Sequence, residues 1–282
     1  MTDGGRLVLL GTPIGNLGDL APRAVEVLRA ADVIAAEDTR RTRAMLTHAD
    51  VRAGGRLIAI HEHNERASTR DVLDRIRGGQ TVAYVTDAGM PGISDPGERL
   101  ARAVIDAGLV LEVVPGPSAV LHALVVSGLP AARFVFEGFL PRKGRERSER
   151  IAAIAREPRT VVLFESPHRA GATLRELADA CGEARPAALA RELTKLHEET
   201  LRDSLGALAQ KFAATEPRGE VVLVVGGAPA SAVTEESLAA ALTAELAGGA
   251  TVRDAAALVA QELGVAKRQA YDLALRISDV SS

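Results

Sequence analysis

From the first residues to about residue 225, short β-branched runs alternate with segments whose apolar positions recur at helical spacing. The first block of strand-like runs is RLVLL (6–10), VIAAE (33–37), RLIAI (56–60), TVAYV (81–85) and VLEVV (110–114). A second block follows with FVFEG (134–138), TVVLFE (160–165), AALARE (187–192) and EVVLVV (220–225). Residues 20–30, 67–77, 97–107 and 168–180 carry the helical spacing between them. This alternation predicts an α/β architecture with parallel or mixed sheets. Two blocks of strands predict two α/β domains, 1–118 and 119–230, divided where VPGPSAV and SGLP interrupt the pattern.

After GGAPASAVTEES the pattern is helical only, so 235–282 is expected to form a small appendage. Residues 252–277 read as helix, tight turn, helix. Ala260 and Gly264 stand four apart, and Val259, Leu263, Val265 and Leu273 supply a shared core. A two-helix cap on the second domain is the plainer alternative.

A length of 282 residues suits two domains and an appendage. With 47% hydrophobic and 25% charged residues the composition is that of a soluble globular protein. Aromatic residues are only 2%, which leaves the core to Ala, Val, Leu and Ile. The net charge of −3 gives no bulk attraction to nucleic acid or an anionic membrane, so such binding requires local patches. One cysteine, Cys181, excludes a disulfide framework and a multi-cysteine metal site, and it reads as a packing residue. No apolar run is long enough for a signal peptide or a bilayer span, so the expected compartment is the cytoplasm.

Chemistry is expected at three strand ends, where residues 10, 85 and 114 run into GTPIGNLGDL, TDAGMPGISDPG and PGPSAV. Neither a G-x-x-x-x-G-K-[ST] nor a G-x-G-x-x-G motif is present. Ligands of open α/β sheets nonetheless bind outside the carboxyl ends of the strands. Glycine permits close backbone approach and proline fixes loop shape, although ordinary turns share that composition. The second loop holds Asp87 and Asp95 and no cation, which disfavours a phosphate ligand. S-adenosylmethionine, with a sulfonium, an ammonium and a ribose diol, suits it better, and Asp87 is placed to accept from the ammonium or the diol. A divalent cation held by Asp87 and Asp95 is the rival reading.

LGTPIGNLGDL, AEDTRRTRAML, HEHNE, TDAGMPGISDPG, PGPSAV, FLPRKGRER, FESPHR and ARELTKLHEE occur in this order. Together they closely resemble the bacterial 16S ribosomal RNA (cytidine-2′-O)-methyltransferases of the tetrapyrrole-methylase superfamily, over about residues 6–226. The resemblance implies two α/β domains of the tetrapyrrole-methylase type with a cofactor cleft between them, a helix-turn-helix-like appendage, and a homodimer. It implies S-adenosyl-L-methionine as cofactor, and 16S rRNA or the small ribosomal subunit as partner. The cofactor contacts so implied are Gly11, Pro13, Thr86, Asp87, Gly89, Pro91, Ile93, Pro115, Gly116, Ser118 and Ala119, with Phe164, Leu193 and Thr194 from the second domain. Tetrapyrrole-acting members read Gly-Asp-Pro where this chain has Thr86-Asp87-Ala88, a departure that fits an RNA-modifying branch.

Transfer to a ribose hydroxyl benefits from a proton acceptor. FESPHR offers Glu165 and His168 as catalytic candidates, with a Glu165–Arg169 pair that fixes the loop as the alternative. PRKGRERSER supplies Arg142, Lys143, Arg145, Arg147 and Arg150 for RNA phosphates, unless it is simply a solvated charge run. Arg40, Arg41 and Arg43 add to these on a predicted helix that Asp38 or Thr39 can cap, and Lys267 and Arg268 open the last helix. His61 and His63 suggest a cleft element more than zinc, since no third ligand is evident, and no metal is expected. A small-molecule tetrapyrrole or precorrin methylase, and a cofactor-binding assembly factor without turnover, are the competing functions.

Overall fold

The computed structural model describes residues 4–60, 65–229 and 234–280. It divides into two compact units, Met1–Ala228 and Pro229–Ser282.

The first unit holds two five-stranded sheets. Strands β1 (Arg6–Leu10), β2 (Val33–Ala36), β3 (Leu57–Ala59), β4 (Thr81–Val85) and β5 (Val110–Val114) are ordered β3-β2-β4-β1-β5, with every pair parallel. Helices α1 (Pro22–Ala30), α2 (Thr39–His48), α3 (Glu65–Arg77) and α4 (Glu98–Asp106) connect them. The sheet is apolar on both faces, as a sheet covered by helices on both sides must be. Val8, Leu10, Ile34 and Ala83 face one core with Leu28 and Leu46. Leu7, Leu9, Val82 and Tyr84 face another with Val72, Ile76 and Leu100.

Helix α5 (Ala119–Ser127) leads to the second sheet, with β6 (Phe134–Phe139), α6 (Arg145–Arg156), β7 (Thr160–Glu165), α7 (Pro167–Cys181), β8 (Pro186–Arg191), β9 (Glu199–Ser204), α8 (Leu205–Lys211) and β10 (Val221–Val225). Its order is β6-β7-β10-β8-β9, parallel only between β6 and β7. Alternation along β7 divides its side chains between two layers. Val161 and Leu163 pack with α6–α8 residues such as Ile151, Leu174 and Leu208. Val162 and Phe164 pack with α5 and with Ile14, which reaches across from the loop after β1. Cys181 is partly buried against the first of these layers, and burial pushes its thiol up.

All nine expected strands form, with no end displaced by more than one residue. Strand β9 was not expected. Its sequence, ETLRDS, is polar because it occupies the sheet edge and pairs only with β8.

The second unit packs α9 (Glu235–Ala247), α10 (Val252–Leu263) and α11 (Lys267–Val280) around Leu238, Leu242, Val259, Ala260 and Leu273. Gly264 ends α10 in the left-handed region at φ 67°. The two expected helices and the turn between them are present, and α9 completes their core. Among the described residues no helix is long and apolar enough to cross a membrane.

Candidate functional site

The site lies where the carboxyl ends of β1, β4 and β5 meet the second sheet. The connection from β1 runs toward β2 and that from β4 toward β5, so the strand order reverses between these neighbours and opens a crevice. Two loops are stitched across it by Thr12 N donating to the Gly89 carbonyl at 2.9 Å and Gly89 N to the Thr12 carbonyl at 3.1 Å. A third closes in where Gly11 meets Gly116. A methyl group on Gly11 would lie 2.5 Å from the Gly116 nitrogen, so neither position admits a side chain.

Two adjoining compartments result. The larger, of about 580 Å³, is lined by Ala88, Gly89, Met90, Ile93, Ser94, Asp95, Ser118, Ala119, Phe139, Phe164 and Glu165, among others. The smaller, of about 330 Å³, is lined by Thr12, Pro13, Arg41, Thr42, Met45, Thr86 and Asp87. Ile14, Ala88, Lys195 and Glu220 border both. The expected cofactor residues are thereby sorted. Gly89, Ile93, Ser118, Ala119 and Phe164 line the larger compartment, and Pro13, Thr86 and Asp87 the smaller. Gly11, Pro91, Pro115, Gly116, Leu193 and Thr194 line neither. Of these, Gly11 and Gly116 provide the close backbone contact.

Leu193 and Thr194 belong to a turn that clasps the first-sheet loop. A methyl group on Gly15 would meet Lys195 Cγ at 2.5 Å, Thr194 Oγ1 at 2.7 Å and the Leu193 carbonyl at 2.9 Å. Asn16 N donates to Thr194 Oγ1 at 3.0 Å, and Thr194 N donates to Glu198 Oε2 at 2.7 Å. Glu192 and Thr194 both hold positive φ, 51° and 64°, in a region disfavoured for side chains. Lys195, not singled out from the sequence although it adjoins Thr194, pairs through Nζ with Glu192 Oε1 at 2.9 Å and Glu220 Oε2 at 3.1 Å. Burial pulls its pKa down, and these hydrogen bonds outweigh that and raise it.

The crevice is acidic. Asp87 Oδ1 accepts from Asp38 N at 3.1 Å, Asp87 N donates to Glu37 Oε2 at 3.3 Å, and Arg41 Nη1 stands 3.4 Å from Asp87 Oδ2. Burial, with the Asp87 charge adding, raises the pKa of Glu37. Asp95 is pushed up to about 7, first by burial and then by Glu37 and Asp87. At the rim, hydrogen bonds from Arg40 hold Asp38 down at about 2. The Thr86 hydroxyl is buried and has no hydrogen-bond partner among the described residues. Among the described residues no three His, Cys, Asp or Glu side chains are placed to hold a metal ion. His61 and His63 lie outside the described residues.

The two catalytic candidates are not brought together. Glu165 reaches the cavity wall, but Oε2 accepts from Thr173 Oγ1 at 2.6 Å and Oε1 from Ser166 N at 2.8 Å, with Arg169 Nε 3.4 Å away. Its oxygens are engaged in bracing the start of α7, and the Arg169 pairing that the sequence left as an alternative is present. His168 projects elsewhere, 80% exposed, with Nδ1 2.6 Å from Glu216 Oε2. It lines neither compartment.

Residues 6–209 match the model of the Tetrapyrrole (Corrin/Porphyrin) Methylases. The chain is 49% identical over 273 residues to the ribosomal RNA small subunit methyltransferase I of Mycobacterium tuberculosis (strain CDC 1551 / Oshkosh), covering 96% of this chain and 95% of that one. The chain belongs to the ribosomal RNA small subunit methyltransferase I branch of the tetrapyrrole methylase family. The Synechocystis sp. (strain ATCC 27184 / PCC 6803 / Kazusa) member is 43% identical, over 97% of this chain and 98% of its own. In fold this family member is similar to the Thermus thermophilus uroporphyrin-III C-methyl transferase complexed with S-adenyl homocysteine. That likeness has a TM-score of 0.57 at 22% identity, over 79% of this chain and 97% of that one.

The basic residues of the methylase unit separate by burial. Arg142, Lys143 and Arg145 are exposed on the turn into α6, with Arg145 Nε 2.6 Å from Glu149 Oε1. Arg147 is 7% exposed, and its guanidinium is consumed by Glu176, Pro141 and Thr173. The expectation that Arg147 meets RNA phosphate is corrected on that ground. Arg150 likewise pairs with Glu137 at 2.5 Å. On α2, Arg40 and Arg43 are exposed, and Arg41 stands at the smaller compartment. In the second unit Lys267 and Arg268 are exposed, and Arg268 Nε lies 3.9 Å from Asp272 Oδ2. That unit carries four Lys/Arg against seven Asp/Glu, so it offers no net attraction to phosphate.

Proposed function

We propose that the chain transfers a methyl group from S-adenosyl-L-methionine to the 2′-hydroxyl of a cytidine ribose in the decoding region of 16S rRNA, on the small ribosomal subunit. Full-length similarity to ribosomal RNA small subunit methyltransferases I supports the substrate class. The observation that carries the reading is the paired compartment, one apolar and one of mixed polarity, joined at Ile14, Ala88, Lys195 and Glu220.

The residues present fit the cofactor. Phe139, Phe164 and Ile93 offer apolar surface to an adenosine, with the backbone of Ala88 and Met90 beside it. Asp95 on the larger compartment's wall, with the Asp87 charge nearby, suits a cation, and Lys195, the one cation on that wall among the described residues, is already neutralised by two carboxylates. When bound, the cofactor supplies an activated methyl group on a sulfonium. The chain's own residues align the acceptor and exclude water. The smaller compartment receives the nucleotide, with Thr86 in its wall and Arg41 at its side. Glu165 acts by bracing Ser166, and His168 takes no part.

In this reading the catalytic body consists of α/β domains 1–118 and 119–230, with 235–282 as an appendage, and two copies associate. Val113, Leu121, Val125 and Leu196 support the association as exposed apolar residues around β5 and α5, with Val125 74% and Leu196 92% exposed. His122 Nε2, 3.2 Å from Glu198 Oε1, ties the 196 turn to that surface. Light scattering of Val125→Glu is expected to show a monomer where the unaltered chain is a dimer.

The function is tested by calorimetry with S-adenosylmethionine, then tritiated methyl transfer onto 30S particles, free 16S rRNA or a uroporphyrinogen. Nucleoside mass spectrometry of the product is expected to show 2′-O-methylcytidine. Label on the base, on the tetrapyrrole alone, or on nothing overturns the proposal.

A further inference from the structure

Arg147 occurs within the cationic run 141–150 but points inward, and its contacts form a continuous path. Its Nη1 donates to the Pro141 carbonyl at 3.0 Å, at the root of the turn that displays Arg142 and Lys143. Nη2 donates to Thr173 Oγ1 at 2.9 Å, and Nε to Glu176 Oε2 at 2.8 Å, both on α7. The Thr173 hydroxyl in turn donates to Glu165 Oε2 at 2.6 Å. Glu165 Oε1 then accepts from Ser166 N, where Glu165, Ser166 and Pro167 form part of the larger compartment's wall. Arg169 closes the ring, with Nη2 on the Leu140 and Pro141 carbonyls at 3.0 and 3.3 Å and Nε 3.4 Å from Glu165 Oε1.

The Pro141 carbonyl is thus held by two guanidiniums, from α6 and from α7. The hydroxyl of Thr173, fully buried, touches both Arg147 and Glu165 and is the shorter of the two links between them. A buried guanidinium and carboxylate with this many partners tolerate little displacement, because any shift strands a charge or a donor in a dry interior. Stability alone does not require the arrangement, since apolar packing serves as well or better at such sites. What the arrangement does fix is geometry between an exposed cationic turn and a cavity wall.

Resting on the rRNA-methylation reading, we propose that Arg147 and Thr173 are positioning residues that hold the Arg142–Lys143 turn in register with the Glu165–Ser166 wall, so that rRNA gripped outside is aligned with the site inside.

The test is a double-mutant cycle on the full-length chain, assayed on 30S particles or 16S rRNA, whichever the unaltered chain methylates. Thr173→Val removes the joining hydroxyl at nearly constant shape, Thr173→Ser keeps it, and Arg142→Ala removes an outer cation. Thr173→Val is expected to raise KM for the RNA about tenfold, equivalent to about 1.4 kcal/mol. Thr173→Ser restores KM to within about threefold. Arg142→Ala is expected to weaken the RNA interaction strongly in the unaltered background and little in Thr173→Val, because the turn is already out of register. Additive effects, or a Thr173→Val enzyme with unchanged KM, overturn the proposal. If Thr173→Val melts below the assay temperature, Arg147→Lys replaces it in the same cycle, with the same two outcomes. An unaltered chain that binds S-adenosylmethionine but labels no RNA refutes the function itself, an outcome distinguishable from additivity in an active enzyme.

Discussion

Replacing Asp95 with asparagine removes a carboxylate that sits half-buried at the mouth of the larger compartment, beside Glu37 and Asp87. Its native pKa is about 7 against an ordinary 3.8, with burial the larger cause and the two neighbouring charges the smaller. The sign follows from which state holds the proton. Below about pH 4 both folded and unfolded chains carry it, and Asp95 is indifferent to folding. As pH rises toward 7 the unfolded chain has released it and the native chain has not, so native stability falls steadily. Above about 7 the loss is constant. At 1.36 kcal/mol for each tenfold step, the full loss is about 4 kcal/mol, and partial solvent access trims it to a few. Asp95→Asn is therefore expected to match the unaltered protein near pH 4 and to exceed it by about 2–4 kcal/mol at pH 8. Urea midpoints of both proteins at pH 4.5, 6 and 8 measure this, because carboxylates common to the two cancel in the difference. A gap that stays flat, or is widest at pH 4.5, refutes the reasoning. The same shift has a binding signature. A cation entering the compartment favours the ionised form, so S-adenosylmethionine releases a proton near pH 7 and S-adenosylhomocysteine, which lacks the sulfonium charge, releases less. Calorimetry in buffers of different ionisation heat reads the difference.

Thr86→Val deletes a buried hydroxyl that has no partner among the described residues. Thermal stability is expected to hold or rise by up to about 1 kcal/mol in thermal melts, and a loss of more than about 1 kcal/mol would show that the hydroxyl is satisfied in the folded protein. His168→Ala is expected to leave kcat within twofold, since the ring lies outside both compartments and pairs with Glu216. A tenfold loss in steady-state assays would return His168 to the mechanism. Reversing Lys143 and Arg145 together to glutamate removes two exposed cations. Weaker rRNA binding and a log–log salt slope shallower by about 1.5 are expected in filter-binding titrations, and an unaltered slope counts against phosphate contact.

Strand positions were legible because β-branched runs between turn residues have few other uses, and the three glycine- and proline-rich loops fell where the crevice is. Finer placement was available in periodicity that the motifs overshadowed. Arg147, Ile151 and Ile154 are spaced four and three apart, one face of α6, and that face is buried. The helix pattern alone thus turned Arg147 inward, while reading the run as a block of charge turned it outward. His168 stands two residues, about 200° around a helix, from Ala170, which with Thr173, Leu174 and Leu177 marks the buried face of α7. Along β7, Glu165 falls in the Val161–Leu163 series facing α7, and Phe164 in the series facing the crevice. The sorting of Gly89 and Thr86 into separate compartments was not legible, because it depends on Ile14 crossing from one sheet to the other.

The turn bearing Glu192 and Thr194 has a bearing on laboratory evolution of this enzyme. Each residue occupies the left-handed region at a cost of about 1–2 kcal/mol, which glycine would avoid. A library ranked by heat tolerance alone is therefore drawn to glycine at 192 and 194. Glycine at 194 has no oxygen for Asn16 N to donate to, and glycine at 192 leaves Lys195 one carboxylate short. The variants that survive the highest temperature are then those whose two halves are least firmly held together. Thermal selection on this scaffold has to carry a turnover screen beside it.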